Sequence, residues 1–534
     1  MILLAGFLEV LFKAVVLAGY ALAIGGVAFG LGVLRPLGDR VPAPMLARNL
    51  RLIAGGGAAV LAFQLATLLI ELWALADELG RWPVADFLAT RFARAGIAHA
   101  AVGGALALVA LRGHARRGST WALLGAGALL LAASGAPLVH GASRLEGAAA
   151  LSTVTVLHQV GAGIWAGGVL HLLAQRPLRR DAPSAAEAWT AMVTRFSPVA
   201  ICGVLVIAGT GAFLGWRYIA TASGLVGTAY GAMVVTKIGL MATALILGAR
   251  NFRTARRWRR GSATAGEVGA VRSLVEAEAG VLVVVVLAAA ALTSQPPAVD
   301  VRERATPREV AEVFAPKRVQ LSRPPYRELV ATAAASLDPY ALPGPFDRAQ
   351  SNFNHNVSGL LVLVVALGAL LDRTGKLPAA RHWPLAFLLL AAFMLMLAEP
   401  NGWPFGPEGF FETLLAPSVL LHRLATALVV ALAVFEWRVR VGGLAATRWR
   451  FAFPVLAGAG GALLLTHSHS VLAAKWAYLI EVSHNAIGLL AVLIAVGRWL
   501  ELRSPDPAAR RAYGLVWPTC LVLVGLVLVF YREA

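Results

Sequence analysis

Long apolar runs broken by short polar turns make up most of this chain. A helix needs roughly 17–25 mostly apolar residues to cross a bilayer. By that measure the sequence predicts about fourteen spans, with approximate limits 3–34, 51–76, 95–112, 119–140, 151–174, 196–216, 229–250, 270–293, 355–371, 382–399, 417–437, 451–468, 474–500 and 514–531. Hydrocarbon offers the backbone no partner, so such runs are helices. The expected fold is an all-α polytopic membrane helix bundle of eight spans and then six. The expected domains are an eight-span unit over 1–293, an extracytoplasmic linker with short helices over 294–353, and a six-span histidine-rich unit over 354–534. In the linker, "ATPREVAEVFAP" predicts a short helix with Thr306 as its N-cap and Pro307 in its first turn. A second is expected in "RPPYRELVATAAAS", from Arg323 to Ser336. The opening "MILLAGFLEVLFKAVVLAG" has no basic leader and no small-residue cleavage site, so a retained first span is expected.

Composition agrees. Of 534 residues only 14% are charged, against about 25% in soluble domains. The net charge of +19 is mostly arginine, held in clusters between apolar runs, such as "ARNFRTARRWRRG" and "QRPLRRDAP". That distribution sets topology and implies a lipid bilayer, not a nucleic acid, as partner. The loops at 35–51, 112–118, 175–195, 250–272, 372–381, 438–450 and 499–511 are basic, hence expected inside, which leaves both termini outside. Two loops stand apart. The one at 77–94 balances its arginines with Asp77, Glu78 and Asp86, and the long segment at 294–353 is free of the charge rule. Cys202 and Cys520 stand alone in separate apolar runs and build neither a disulfide framework nor a thiolate metal motif.

With sidedness assigned, the eleven histidines sort by depth. His467 and His469, in "LLLTHSHS", close the twelfth span at its outer end; His422 lies one turn into the eleventh and His355 opens the ninth. His484 sits roughly 13 Å below the outer end of the thirteenth, at a rise of about 1.5 Å per residue. Met394 and Met396 lie near the outer end of the tenth, followed by Glu399. The first half repeats the layer with His99, His140 and His158, and with Glu9 and Glu71 in the outer halves of the first two spans. His114, His171 and His382 fall toward the inside. A lone histidine at a span end is usually an interfacial residue and a lone methionine usually packing. His158 and His484 are deep enough to need partners, and Glu481, one turn above His484, is a candidate to orient it. Imidazole with thioether, and no cysteine, points to copper as Cu(I) or Cu(II), since zinc uses methionine poorly. Positions i and i+2 of a helix diverge by about 200°, so His467 and His469 are expected as successive stations unless the helix ends there.

At these residues the chain resembles the copper resistance D family, in its long form with a C-terminal membrane extension. The resemblance rests on "LHQVGAGIWAGGVLHLL", "RFSPVAICGVLVIAGTGAFLGWRYI", "VGTAYGAMVVTKIGL" and "TSQPPA" in the first half. In the second half it rests on "NHNVSGLLVL", "HRLATALVVALAVFEWRVR", "ALLLTHSHS" and "IEVSHNAIGLL". It implies a bacterial inner-membrane protein linked to copper uptake from the periplasm, with His158, Trp165, Gly167 and Gly168 as the signature of the fifth span. It further implies a periplasmic copper-binding protein, CopC-like, as partner.

The leading expectation is a copper permease or copper-handling protein serving import, homeostasis or resistance. Lys237, Glu276 and Glu278 are candidates for an inward route, and equally for bundle charge pairs or snorkelling groups. No nucleotide-binding motif occurs in the sequence, so a transporter rather than an enzyme is expected, driven by the copper gradient, the membrane potential or a partner. A second expectation is a b-type haem electron-transfer protein using His158 and His171, thirteen residues apart, with His99 and His114 as their partners. A third is a copper-delivery or oxidase-assembly factor that docks through the 294–353 segment. Topology is directly testable. Reporter fusions after Arg260 and after Pro407 should give opposite signals, cytoplasmic for the first and external for the second; matching signals would overturn the depth assignment.

Overall fold

The computed structural model describes residues 2–533 apart from 140–143, 145, 177–182, 260, 262, 330–343, 400–401, 407, 415–416 and 467–474. Among the described residues there is no strand, and fourteen helices are long and apolar enough to cross a membrane. The first eight are Ala5–Arg40, Ala43–Leu79, Arg91–Arg112, Gly118–Leu138, Ala148–Ala174, Ser184–Tyr218, Ala229–Trp258 and Ala265–Asp300. The remaining six are Pro345–Thr374, Pro378–Leu397, Val419–Arg440, Arg448–Thr466, Lys475–Arg503 and Pro507–Val529. The chain divides into two compact units, Met1–Ala220 with Leu240–Ser294, and Thr221–Gly239 with Gln295–Ala534.

Every expected span is present, but several helices run past their apolar stretches. The sixth starts at Ser184, near Pro183, where the apolar run predicted 196. Its extra turns are held by Trp189 and Met192, both almost fully buried. The ninth starts at Pro345, ten residues early, with the Gly344 amide donating to Asp347 at 3.0 Å. Polar turns outside hydrocarbon carry no apolar signature, so hydropathy misses them. The short helix Pro307–Phe314 forms as predicted: the Glu309 amide donates to the Thr306 hydroxyl at 3.2 Å and the Thr306 amide to the Glu309 carboxylate at 2.8 Å. Lys475 then reaches Glu309 at 2.5 Å. The lysine, with the Thr306 donors, holds the Glu309 carboxyl at about 2. A depressed carboxyl lends its stabilisation above its unfolded value and loses it as pH falls through the folded one, so this tether persists into strong acid. In the second predicted helix residues 326–329 are helical, and the rest lies outside the described residues.

In the first unit small residues bring helices into backbone contact, as is common where lipid gives no hydrophobic drive to association. A Cβ on Gly19 would stand 2.7 Å from the Gly56 carbonyl oxygen, and one on Gly167 only 1.9 Å from that of Ala21. Gly167 ends a π-helical turn, Gly163–Gly167, set between Ala148–Ala162 and Gly168–Ala174 in the fifth span. The extra residue per turn re-aims the side chains beyond it, and such turns concentrate at functional sites. Ile53, Val60, Leu124 and Leu131 form the apolar centre of this unit.

The second unit packs Phe453 edge to face against Trp383 and Trp517, beside Ala366 and Ala369. Beside these rings lies an ion network at the C-terminal ends of the ninth, eleventh and thirteenth spans. Glu436 accepts from Arg440 and Arg498, each at 2.8 Å. Glu501 accepts from Arg373 at 2.7 Å and Arg498 at 2.9 Å, and Arg440 also reaches Asp372. Three arginines face three carboxylates, and the Trp517 indole donates to Glu501 at 2.7 Å. Some of the arginines expected only to set topology are therefore structural ion partners.

The glycine contacts predict a contrast. Gly167→Ala should destabilise the protein by about 1–3 kcal/mol through overpacking. Gly125→Ala, with nothing within 4 Å of the added methyl, should be near neutral. Thermal unfolding in detergent compares them, and equal transitions would contradict the packing.

Candidate metal site

Two histidines of the predicted outer layer meet in the second unit. His355 of the ninth span and His484 of the thirteenth have ring centroids 5.5 Å apart, close to perpendicular. The His355 Nδ1–H donates to its own Ser351 carbonyl at 2.8 Å, and that of His484 to Ile480 at 2.9 Å. A carbonyl oxygen only accepts, so in both rings Nδ1 carries the proton and Nε2 the lone pair. Metal-binding histidines are commonly arranged this way, with the far nitrogen tied to a carbonyl or carboxylate. Tyr531, just beyond the fourteenth span and 1% exposed, stacks on His355 at 3.9 Å.

His422 stands nearby and about half exposed, within electrostatic reach of His355 and His484. Its Nδ1–H donates to the Glu399 carboxylate at 2.5 Å. Burial opposes the charge on Glu399, but the bond from His422 outweighs it and holds the carboxyl below its ordinary range. Arg423 anchors the surrounding loop, donating to the carbonyls of Leu395 at 2.7 Å and Trp403 at 2.8 Å. The two methionines part company, as i and i+2 must. Met394 packs against the apolar core, while Met396 is exposed. Glu481 is fully buried and accepts from Gln295 at 3.0 Å, and the Nδ1 orientation of His484 comes from the Ile480 carbonyl. Lys237 is half-buried in the part of the seventh span that belongs to this unit. His467 and His469 lie outside the described residues, as does His140 of the first unit.

In the first unit the histidines have separate surroundings. His99 bonds Ser134 at 2.9 Å and stacks near Tyr20. His158 bonds Thr210 at 3.0 Å. Glu276 is an ion partner of Arg272 at 3.4 Å and Arg176 at 4.0 Å. Glu278 is held otherwise: the Trp165 indole donates to its Oε1 and the Asn251 amide to its Oε2, both at 3.1 Å. Among the described residues, no three His, Cys, Asp or Glu side chains gather to hold a metal by themselves.

The inner haem ligand of the second expectation does not fit. His171 is fully buried, its Nε2–H donates to the Leu22 carbonyl at 2.9 Å, and a mere methyl on Gly26 would lie 2.5 Å from that nitrogen. The Nε2 side of the ring is thus closed by backbone and already bonded, while Nδ1 is buried without a hydrogen-bond partner among the described residues. His382 takes an indole hydrogen bond from Trp437 at 2.9 Å, and His114 is exposed.

Sequence reasoning missed Tyr531, Asn251 and the pairing of Glu399 with His422. Tyr531 hides in the polar "YREA" after an apolar run, and Asn251 among the arginines of "ARNFRTARR". Glu399 stands three residues after Met396, which was the available signal.

Fold and histidine placement together define a polytopic, all-helical membrane protein. Residues 190–292 match the family described as copper resistance protein D. Over 140 residues it is 36% identical to the copper transport protein CutJ of Bacillus subtilis (strain 168), a match covering 26% of this chain and 24% of the relative. No solved structure matches.

The paired tautomers predict that His355→Phe and His484→Phe each weaken binding of Cu(I) by about tenfold or more, while His382→Phe leaves it unchanged. Titration against a Cu(I) chelator under reducing conditions measures this. Equal affinities in all three variants would mean that the pair is packing only.

Proposed function

We propose that this protein moves copper across the bacterial inner membrane, from periplasm to cytoplasm, in copper homeostasis or resistance. The observation that carries the reading is the meeting of His355 and His484, each with its Nδ1–H committed to its own helix and its lone pair on Nε2. The family match and the relative's name support copper as the cargo. Neutral imidazoles together with a thioether, Met396 being the exposed one near the end of the tenth span, would favour the softer Cu(I). His422 with Glu399 is the exposed first station on this account, and His467 and His469 belong to the same mouth. His99, His140 and His158 are the corresponding layer of the first unit. Lys237, Glu276 and Glu278 are the polar groups of the inward half. Both termini are periplasmic, and a periplasmic copper-binding protein, CopC-like, delivers the ion.

Uptake into proteoliposomes tests this. Vesicles holding the full chain should accumulate copper above empty vesicles, His158→Ala should lower the rate, and His382→Ala should not. Uptake no greater than in empty vesicles would end the transport reading. Loss with His382→Ala and none with His158→Ala would end the outer-entry model.

A further inference from the structure

Glu278 is the least accounted-for charge in the first unit. It is 4% exposed and stands thirteen residues from Ala265, about 20 Å along its helix. Glu276, two residues earlier, has arginine partners; Glu278 is bonded by the Trp165 indole and the Asn251 amide and faces Gly248. All three are neutral. A carboxylate in apolar surroundings without a cation is disfavoured against its protonated form.

Titratable groups on the neighbouring elements are engaged elsewhere. On its own helix Glu276 and Arg272 pair with each other. On the segment carrying Trp165, His171 is bonded to the Leu22 carbonyl. On the seventh span, the facing positions are Gly248 and Asn251, and Arg250 and Arg253 are exposed. On the first span Glu9 and Lys13 lie near its far end, alongside Glu71.

A second observation concerns Asn251. Its Nδ2 donates to Glu278, but its Oδ1 is buried and has no hydrogen-bond partner among the described residues. Rotating that amide by half a turn presents Oδ1 to Glu278 Oε2. A protonated carboxyl then donates Oε2–H to Oδ1 and still accepts from Trp165 at Oε1. Both protonation states are thus hydrogen-bonded at both oxygens, and the only movement is one amide rotation.

We propose that Glu278, between Trp165 and Asn251, is a proton-binding site within the membrane, taking up and releasing one proton and so coupling cargo movement through the first unit to proton flux. A metal ion is the weaker occupant, because indole and amide N–H groups already take both oxygens and, among the described residues, no group of three metal-ligating side chains forms here. The coupling rests on the transport reading above; the proton site does not.

Infrared difference spectroscopy on the full chain in nanodiscs, titrated from acid to alkaline pH, tests the site. A protonated-carboxyl C=O band that shifts in heavy water should be present in the wild type and lost in Glu278→Gln. Trp165→Phe should keep the band but shift its frequency, since one hydrogen bond to the C=O is gone, which a purely structural role of Glu278 would not produce. Identical carboxyl bands in wild type and Glu278→Gln at every pH would overturn the proposal. Proteoliposomes with an internal pH dye test the coupling: added Cu(I) should change internal pH, and Glu278→Gln should abolish that change. Copper uptake by the wild type without proton movement would overturn the coupling. No uptake at all would overturn the transport reading, leaving the infrared result to decide the proton site.

Discussion

Inside a bilayer there is no water to complete a polar atom's hydrogen bonds, and every group placed there must find its partner on the protein. That constraint organises both units. In the second, six charged side chains from three helix ends close on one another, with the Trp517 indole completing Glu501. In the first, Glu276 and Glu278 lie two residues apart and meet the constraint in opposite ways. One is neutralised by arginine; the other is surrounded by neutral donors. Ion pairing satisfies the first, and neutral N–H donors alone satisfy the second.

Close backbone approach makes such partnerships reachable. Without side chains at Gly25 and Gly167, the first and fifth spans come together where any Cβ would collide with backbone atoms. The π-helical turn that ends at Gly167 includes Trp165, and its indole reaches the eighth span. The packing and the site are therefore one feature: the glycines of "GIWAGG" give the approach and the tryptophan uses it.

Much of this was legible in the sequence, for identifiable reasons. Apolar runs locate spans because the bilayer leaves them one conformation, and all fourteen appear. Depth grouped His355, His422 and His484 in one expected layer, but not the contact between His355 and His484. Side-chain direction was less legible. Met394 and Met396 share a level but face the core and the surface, and only their spacing hinted at it. Contacts between distant segments were not legible at all. Nothing local in "YREA" says that Tyr531 will lie on His355, some 176 residues away by its Arg532 neighbour's bond to Asn356. Asn251 was hidden by composition, since an arginine-rich stretch reads as a topology signal and its one neutral amide does not stand out.

The hydrogen bonds from His355 and His484 to their own helices have a consequence for the order of assembly. A bond from a ring to the carbonyl four residues back needs only the helix that carries it. In the two-stage picture of membrane protein folding, individual helices form in the bilayer before they associate. The choice of tautomer at these two residues is then made at the first stage, by secondary structure alone. Each helix arrives at its neighbour with its lone pair already on the outward nitrogen, so tertiary packing has only to bring two prepared donors together.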